Sequence, residues 1–135
     1  MHRFLFIIGA AAGFESIMAG TFAAHWLDSR LDAKMLEVFE VGVRYEMYHA
    51  LAILAAAIAY GLGGGRWAAK AGWFFTAGII FFSGSLYLLA LTNARWLGMI
   101  APLGGVCFLI GWAMMIAAAI WPDRDASLRE SQDDG

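Results

Sequence analysis

Cysteine, proline and charge are all scarce in this chain. A single cysteine, Cys107, stands among 135 residues. One thiol closes no internal disulfide, and no CxxC or Cys/His spacing that would hold zinc is present. Cys107 lies inside an apolar run, where it reads as a small buried hydrophobe. Prolines number two, Pro102 and Pro122. Charged residues make up only 15% of the chain, with a net charge of −2. That balance leaves no basic footprint, so no nucleic acid is expected as a partner. A soluble domain of this length would need a larger charged surface. What fills the chain is apolar: 61% of residues are hydrophobic, and the mean hydropathy is +0.67.

The apolar residues come in runs. Residues 71–91 and 96–121 contain no charged side chain, and each run is long enough to cross a bilayer, whose ~30 Å hydrocarbon core takes about 20 helical residues. Four transmembrane helices are predicted, over residues 4–26, 43–62, 67–91 and 97–121. Gly61-Leu62-Gly63-Gly64-Gly65-Arg66 and Thr92-Asn93-Ala94-Arg95 are turns, and links this short make the helices they join antiparallel neighbours. Between the first two spans, Ser29 and Asp32 stand at capping-box spacing, and Asp32 can itself cap a helix. Met35, Leu36, Phe39 and Val43 then recur at helical spacing, opposite Lys34, Glu37 and Glu40. This predicts a short amphipathic helix at the membrane interface, running into helix two. The fold class is therefore an all-α integral membrane four-helix bundle, one domain over residues 1–121. A polar tail, 122–135, is expected to be disordered.

Residues 4–26 follow Met1-His2-Arg3 and could imitate a signal peptide. Glu15 would interrupt its apolar region, and the stretch is long enough to span, so it is expected to stay as helix one. Arg3, Arg66, Lys70, Arg124 and Arg129 fall on one side of the membrane, and Arg30, Lys34, Arg44 and Arg95 on the other. Arg44 lies partly in the membrane, so the positive-inside rule favours both termini in the cytoplasm. Gly9, Gly13, Ser16, Gly20 and Ala24 form a stripe of small residues on helix one, the pattern by which membrane helices approach closely. Pro102 is expected to kink helix four or to open its ladder locally.

Polar residues collect at one end. Arg44, Tyr45, Tyr48 and His49 share a broad face of helix two, while Glu46 points to a different side. His25 ends helix one at the same depth. Ser83, Ser85 and Tyr87 of helix three approach that membrane face too. Polar groups inside a membrane are expensive, so His25, Arg44, Tyr45, Glu46, Tyr48, His49, Ser83 and Tyr87 are candidate ligand-binding or polar-cluster residues. His25, His49 and Glu46 could in principle meet a metal, but no local spacing supports it, and no metal or cofactor is expected. Glu15 stands apart near the middle of helix one, roughly opposite the small-residue stripe. A carboxyl at that depth that carries a proton is what a proton-coupled transporter needs.

Four phrases, in order, resemble one family: Gly20-Thr21-Phe22-Ala23-Ala24-His25, Phe39-Glu40-Val41-Gly42-Val43-Arg44-Tyr45-Glu46-Met47-Tyr48-His49-Ala50-Leu51, Phe82-Ser83-Gly84-Ser85-Leu86-Tyr87-Leu88-Leu89-Ala90-Leu91 and Ile100-Ala101-Pro102-Leu103-Gly104-Gly105. They are similar to small bacterial membrane proteins of domain-of-unknown-function family 423, relatives of eukaryotic transmembrane protein 256. The resemblance runs over residues 4–121. It implies a four-helix inner-membrane protein and brings no established activity with it. The family pattern has Gln where Glu46 stands and Thr where Ala101 stands, and Glu15 is not part of it. Small multidrug exporters are similar only in length, helix number and one glutamate in helix one. The expected function is that of a non-enzymatic binding or structural membrane protein. The lipid bilayer is its partner, with a homo-oligomer or a membrane-protein partner open. The alternative is a proton-coupled small-molecule transporter using Glu15. An enzyme with His49 as base is disfavoured, because no nucleophile or metal constellation is visible.

Overall fold

The computed structural model describes residues 1–122, and among these every regular element is helical. The polar tail expected over 122–135 lies, apart from Pro122, outside the described residues. Helix α1, His2–Phe22, passes directly into a wide π turn, Ala23–Leu27. Helix α2 is Ala33–Ala59. Its start is set by Asp32, whose backbone is extended and whose carboxylate accepts the Met35 N–H at 2.9 Å. The Ser29 hydroxyl donates instead to the Trp26 carbonyl at 3.4 Å, so Asp32 caps alone. The expected interfacial helix is not a separate piece. It is the first part of α2, continuous with the apolar part that follows and held down by buried Phe39.

After α2 come a π turn, Tyr60–Gly64, then α3, Gly65–Gly78, a second π turn, Ile79–Ser83, and α4, Gly84–Thr92. A 3₁₀ segment, Arg95–Met99, leads into α5, Ala101–Ile120. Among the described residues, three helical stretches are long and apolar enough to cross a membrane: His2–Leu27, Ala33–Thr92 and Arg95–Ile120. The expected helices two and three both lie in the second stretch, joined through the glycine-rich turn. Inside it the backbone departs from helix at Leu62 (φ −94°, ψ 15°) and Gly63 (φ 93°, ψ 7°), and Gly65 follows at φ 53°. Only glycine takes positive φ without a Cβ clash, so the run from Gly63 to Gly65 can bend where other residues could not.

The bend brings α3 back onto α2. Ala52, Ile53, Ala56 and Ala57 of α2 share one buried cluster with Ala71 and Phe75 of α3, Leu5 of α1 and Phe108 of α5. A second cluster, Ala23, Leu27, Phe39 and Ala90, lies toward the opposite ends of these helices. Asn93, at φ 56°, closes α4 in the left-handed conformation that asparagine tolerates. Pro102 sits in the first turn of α5, where its missing N–H has no helical partner to lose. It starts that helix and does not kink it, and the ladder of the expected helix four is interrupted at Ile100, between the 3₁₀ segment and α5.

Helices α3 and α5 meet through three reciprocal pairs. Phe75 lies on Gly111, Phe108 on Gly78, and the backbone of Phe82 on Gly104. Each ring or peptide fills the space a Cβ would take, in antiparallel register, at steps of three and four along both helices. The π turn Ile79–Ser83 is where α5 comes close enough for backbone contact. The small-residue stripe of α1 faces α2: Gly9 packs on Leu54 and the Ala50 carbonyl, and Gly20 on Val43.

Candidate functional site

Between the two apolar clusters lies a polar layer centred on α2. The Ser16 hydroxyl of α1 donates to the Val43 carbonyl at 2.9 Å, and the Ser83 hydroxyl donates to the Gly42 carbonyl at 2.7 Å. Two serines from different helices thus grip adjacent peptide groups of α2, whose carbonyls have a second lone pair free for them. Beside them Glu46, 2% exposed, accepts a short hydrogen bond from the Tyr87 hydroxyl. Glu15 and Glu46 line an open cleft of about 340 Å³ whose other walls include Ala11, Ile53, Thr76 and Ile80.

His49 belongs to a different surrounding. Its Nδ1 lies 2.7 Å from the Tyr45 carbonyl, which can only accept, so Nδ1 carries the proton. Its Nε2 then accepts from the Trp112 indole N–H at 3.3 Å. The ring stacks on Phe108 with centroids 3.4 Å apart and planes 6° apart, and Phe75 closes another side. Both nitrogens of the neutral imidazole are used, so the ring offers no lone pair to a metal or a substrate proton.

The third place is an open groove of about 490 Å³ between α1 and α2. His25 and Thr21 reach it from the end of α1 and the π turn that follows, and Arg44 and Tyr48 from α2. Its floor is apolar: Ile17, Gly20, Val43 and Met47. Arg44 has no ion pair or hydrogen bond with any described residue. Arg30, by contrast, lies on the Trp26 ring with its guanidinium 3.6 Å from the centroid.

The eight residues grouped from sequence therefore divide. His25, Arg44 and Tyr48 line the groove. Glu46, Ser83 and Tyr87 form the buried layer. Tyr45 and His49 join the aromatic cluster with Phe82 and Phe108. His25, His49 and Glu46 do not come together, and among the described residues no three His, Cys, Asp or Glu side chains could hold a metal ion. The meeting of Glu15 and Glu46 at one cleft depends on how α1 packs on α2 and has no signal within either segment. The partnership of Trp112 with His49 spans 63 residues and has no signal in either segment.

Long apolar helices, polar side chains satisfied within the layer they enclose, and large apolar residues facing outward define a small helical membrane protein. The chain belongs to the family described as a protein of unknown function, DUF423, which matches residues 19–105. It is similar to the UPF0382 membrane protein YwdK of Bacillus subtilis, at 44% identity over 115 residues, covering 84% of this chain and 94% of that one. A UPF0382 membrane protein of Staphylococcus saprophyticus is 45% identical over 112 residues, covering 82% and 91%. The UPF0382 inner membrane protein YgdD of Escherichia coli K12 is 39% identical over 118 residues, covering 87% and 90%. No solved structure matches the chain.

Proposed function

We propose that this protein crosses the bacterial inner membrane four times, as a four-helix bundle with both termini in the cytoplasm. It acts as a non-enzymatic binding protein whose ligand lies in the groove between α1 and α2. The bend at Leu62 and Gly63, with α3 packed back on α2, supports two crossings within the stretch Ala33–Thr92. The inner-membrane name of the Escherichia coli relative supports the location. One observation carries the binding role: two helices converge Thr21, His25, Arg44 and Tyr48 on one open cavity with an apolar floor. Nothing around these four residues supplies a nucleophile paired with a base, which favours binding over catalysis.

The experiment is mass spectrometry of small molecules that co-purify with the protein in mild detergent. Ala24→Phe should fill the groove and Tyr48→Ala should strip one wall, both at exposed positions. A co-purifying molecule whose occupancy falls in both variants, at unchanged folded yield, is the expected result. Identical molecules at identical occupancy in all three proteins would remove the groove from the function.

A second reading, a proton-coupled transporter, is favoured by the two carboxyls, Glu15 and Glu46, that line one open cleft. Glu15→Gln should then abolish flux driven by a pH gradient across liposomes while the fold persists. Wild-type protein that moves no protons under the same gradient would count against it.

A further inference from the structure

We infer that the groove between α1 and α2 takes the phosphate of an anionic phospholipid headgroup, held by Arg44 with Thr21, His25 and Tyr48. The inference rests on the groove being the binding site, and it names the class of ligand. Three observations carry it. Arg44 lines the groove and makes no ion pair or hydrogen bond with any described residue. An arginine on a helix that enters the bilayer does not keep its charge unanswered, because low-dielectric surroundings strengthen its attraction to any anion in reach. The groove also combines polar and apolar surface, as a lipid does. Thr21, His25, Arg44 and Tyr48 supply donors along it, and Ile17, Gly20, Val43 and Met47 beside them offer apolar surface to an acyl chain. Finally, no carboxylate lines it. A zwitterionic headgroup would bring an ammonium with no acceptor of opposite charge, so a headgroup with one phosphate and neutral substituents fits best. Guanidinium–phosphate pairs are charge-assisted and directional, which suits a single arginine to a phosphodiester.

The test uses the full chain in mild detergent, with phosphatidylglycerol and phosphatidylethanolamine supplied in equal amounts and bound lipid counted by native mass spectrometry. Wild type should retain phosphatidylglycerol over phosphatidylethanolamine. Arg44→Gln should weaken that retention about tenfold or more, as loss of a charge-assisted bond implies. Arg44→Lys should keep part of it. Arg95→Gln removes the same charge from an exposed residue outside the groove and should change nothing. Size-exclusion elution should be unaltered for Arg44→Gln, since the residue has no described partner to lose. Equal retention of the two lipids by wild type, or equal losses in Arg44→Gln and Arg95→Gln, would overturn the inference. Displacement of phosphatidylglycerol by millimolar inorganic phosphate would overturn it too, in favour of a soluble phosphate as ligand. If Ala24→Phe expels a molecule without phosphate and Arg44→Gln leaves it bound, the lipid inference fails and the groove remains a binding site. If neither variant changes anything retained, both fail.

Discussion

His49 shows how a histidine inside a membrane protein can be wholly structural. The Tyr45 carbonyl selects the proton on Nδ1, and that choice turns Nε2 into an acceptor for Trp112. His49→Leu and Trp112→Phe each remove the same bond. Their effects on unfolding free energy should therefore be non-additive, with a coupling of about 0.5–1 kcal/mol, read from a double-mutant cycle in detergent. Glu46 is the other decisive side chain. It is buried and receives the Tyr87 hydroxyl. Glu46→Gln keeps an acceptor for Tyr87, so stability close to wild type is expected. Glu46→Ala leaves the Tyr87 hydroxyl without its partner and should cost about 1–3 kcal/mol. Equal stability of the two variants would show that the layer contributes no net stability. Arg44 contrasts with both. It has no described partner to strand, so Arg44→Ala should leave the fold intact, contrary to the instability that a shared pocket with His49 would produce.

At the scale of elements, the glycines are unequal, and geometry ranks them. A Cβ at Gly111 would collide with the Phe75 ring, whereas one at Gly105 meets nothing within 4 Å. Gly111→Leu should sharply reduce folded yield, and Gly105→Leu should leave it near wild type, as measured by monodisperse recovery in detergent. The same logic reorders the stripe on α1. Gly9 is pressed on Leu54 and the Ala50 carbonyl, while Gly13 stands 3.9 Å from the Ala50 side chain. Gly9→Leu should therefore be worse than Gly13→Leu. In a bilayer, helices gain nothing by hiding apolar surface from lipid, so such close contacts carry the association. That is why one misplaced side chain matters more here than a lost apolar contact elsewhere.

For the whole molecule, the polar layer sits between two apolar clusters and ties α1 and α4 to α2 through Ser16, Ser83 and Tyr87. If the stretch Ala33–Thr92 holds two crossings, the Gly63 turn and both termini share one side of the membrane, and Ser29 and Asn93 share the other. Single cysteines placed at Ser29 and Asn93 in a Cys107→Ala background should react with an impermeant maleimide added outside spheroplasts. One placed at Gly63 should react only after permeabilisation. Labelling of all three from outside would refute the four-crossing topology.

The helical class, the apolar stretches, the Asp32 cap and the turns at Gly63 and Asn93 follow from the chain alone. They depend on local causes: hydropathy over about 20 residues, a carboxylate within reach of an N–H three residues on, and backbone angles that few residues adopt. Local reasoning also found most of the polar residues that matter, since any polar group in an apolar run stands out. It could not divide them. A face of α2 as wide as the one holding Arg44, Tyr45, Tyr48 and His49 touches several neighbours, and rotation of the packed helices decides which residue meets which. That rotation is set by contacts distant in sequence, such as Phe108 on Gly78 and Gly104 on Phe82. Packing therefore left Arg44 in an open groove, buried His49 beneath Trp112, and set Glu15 beside Glu46.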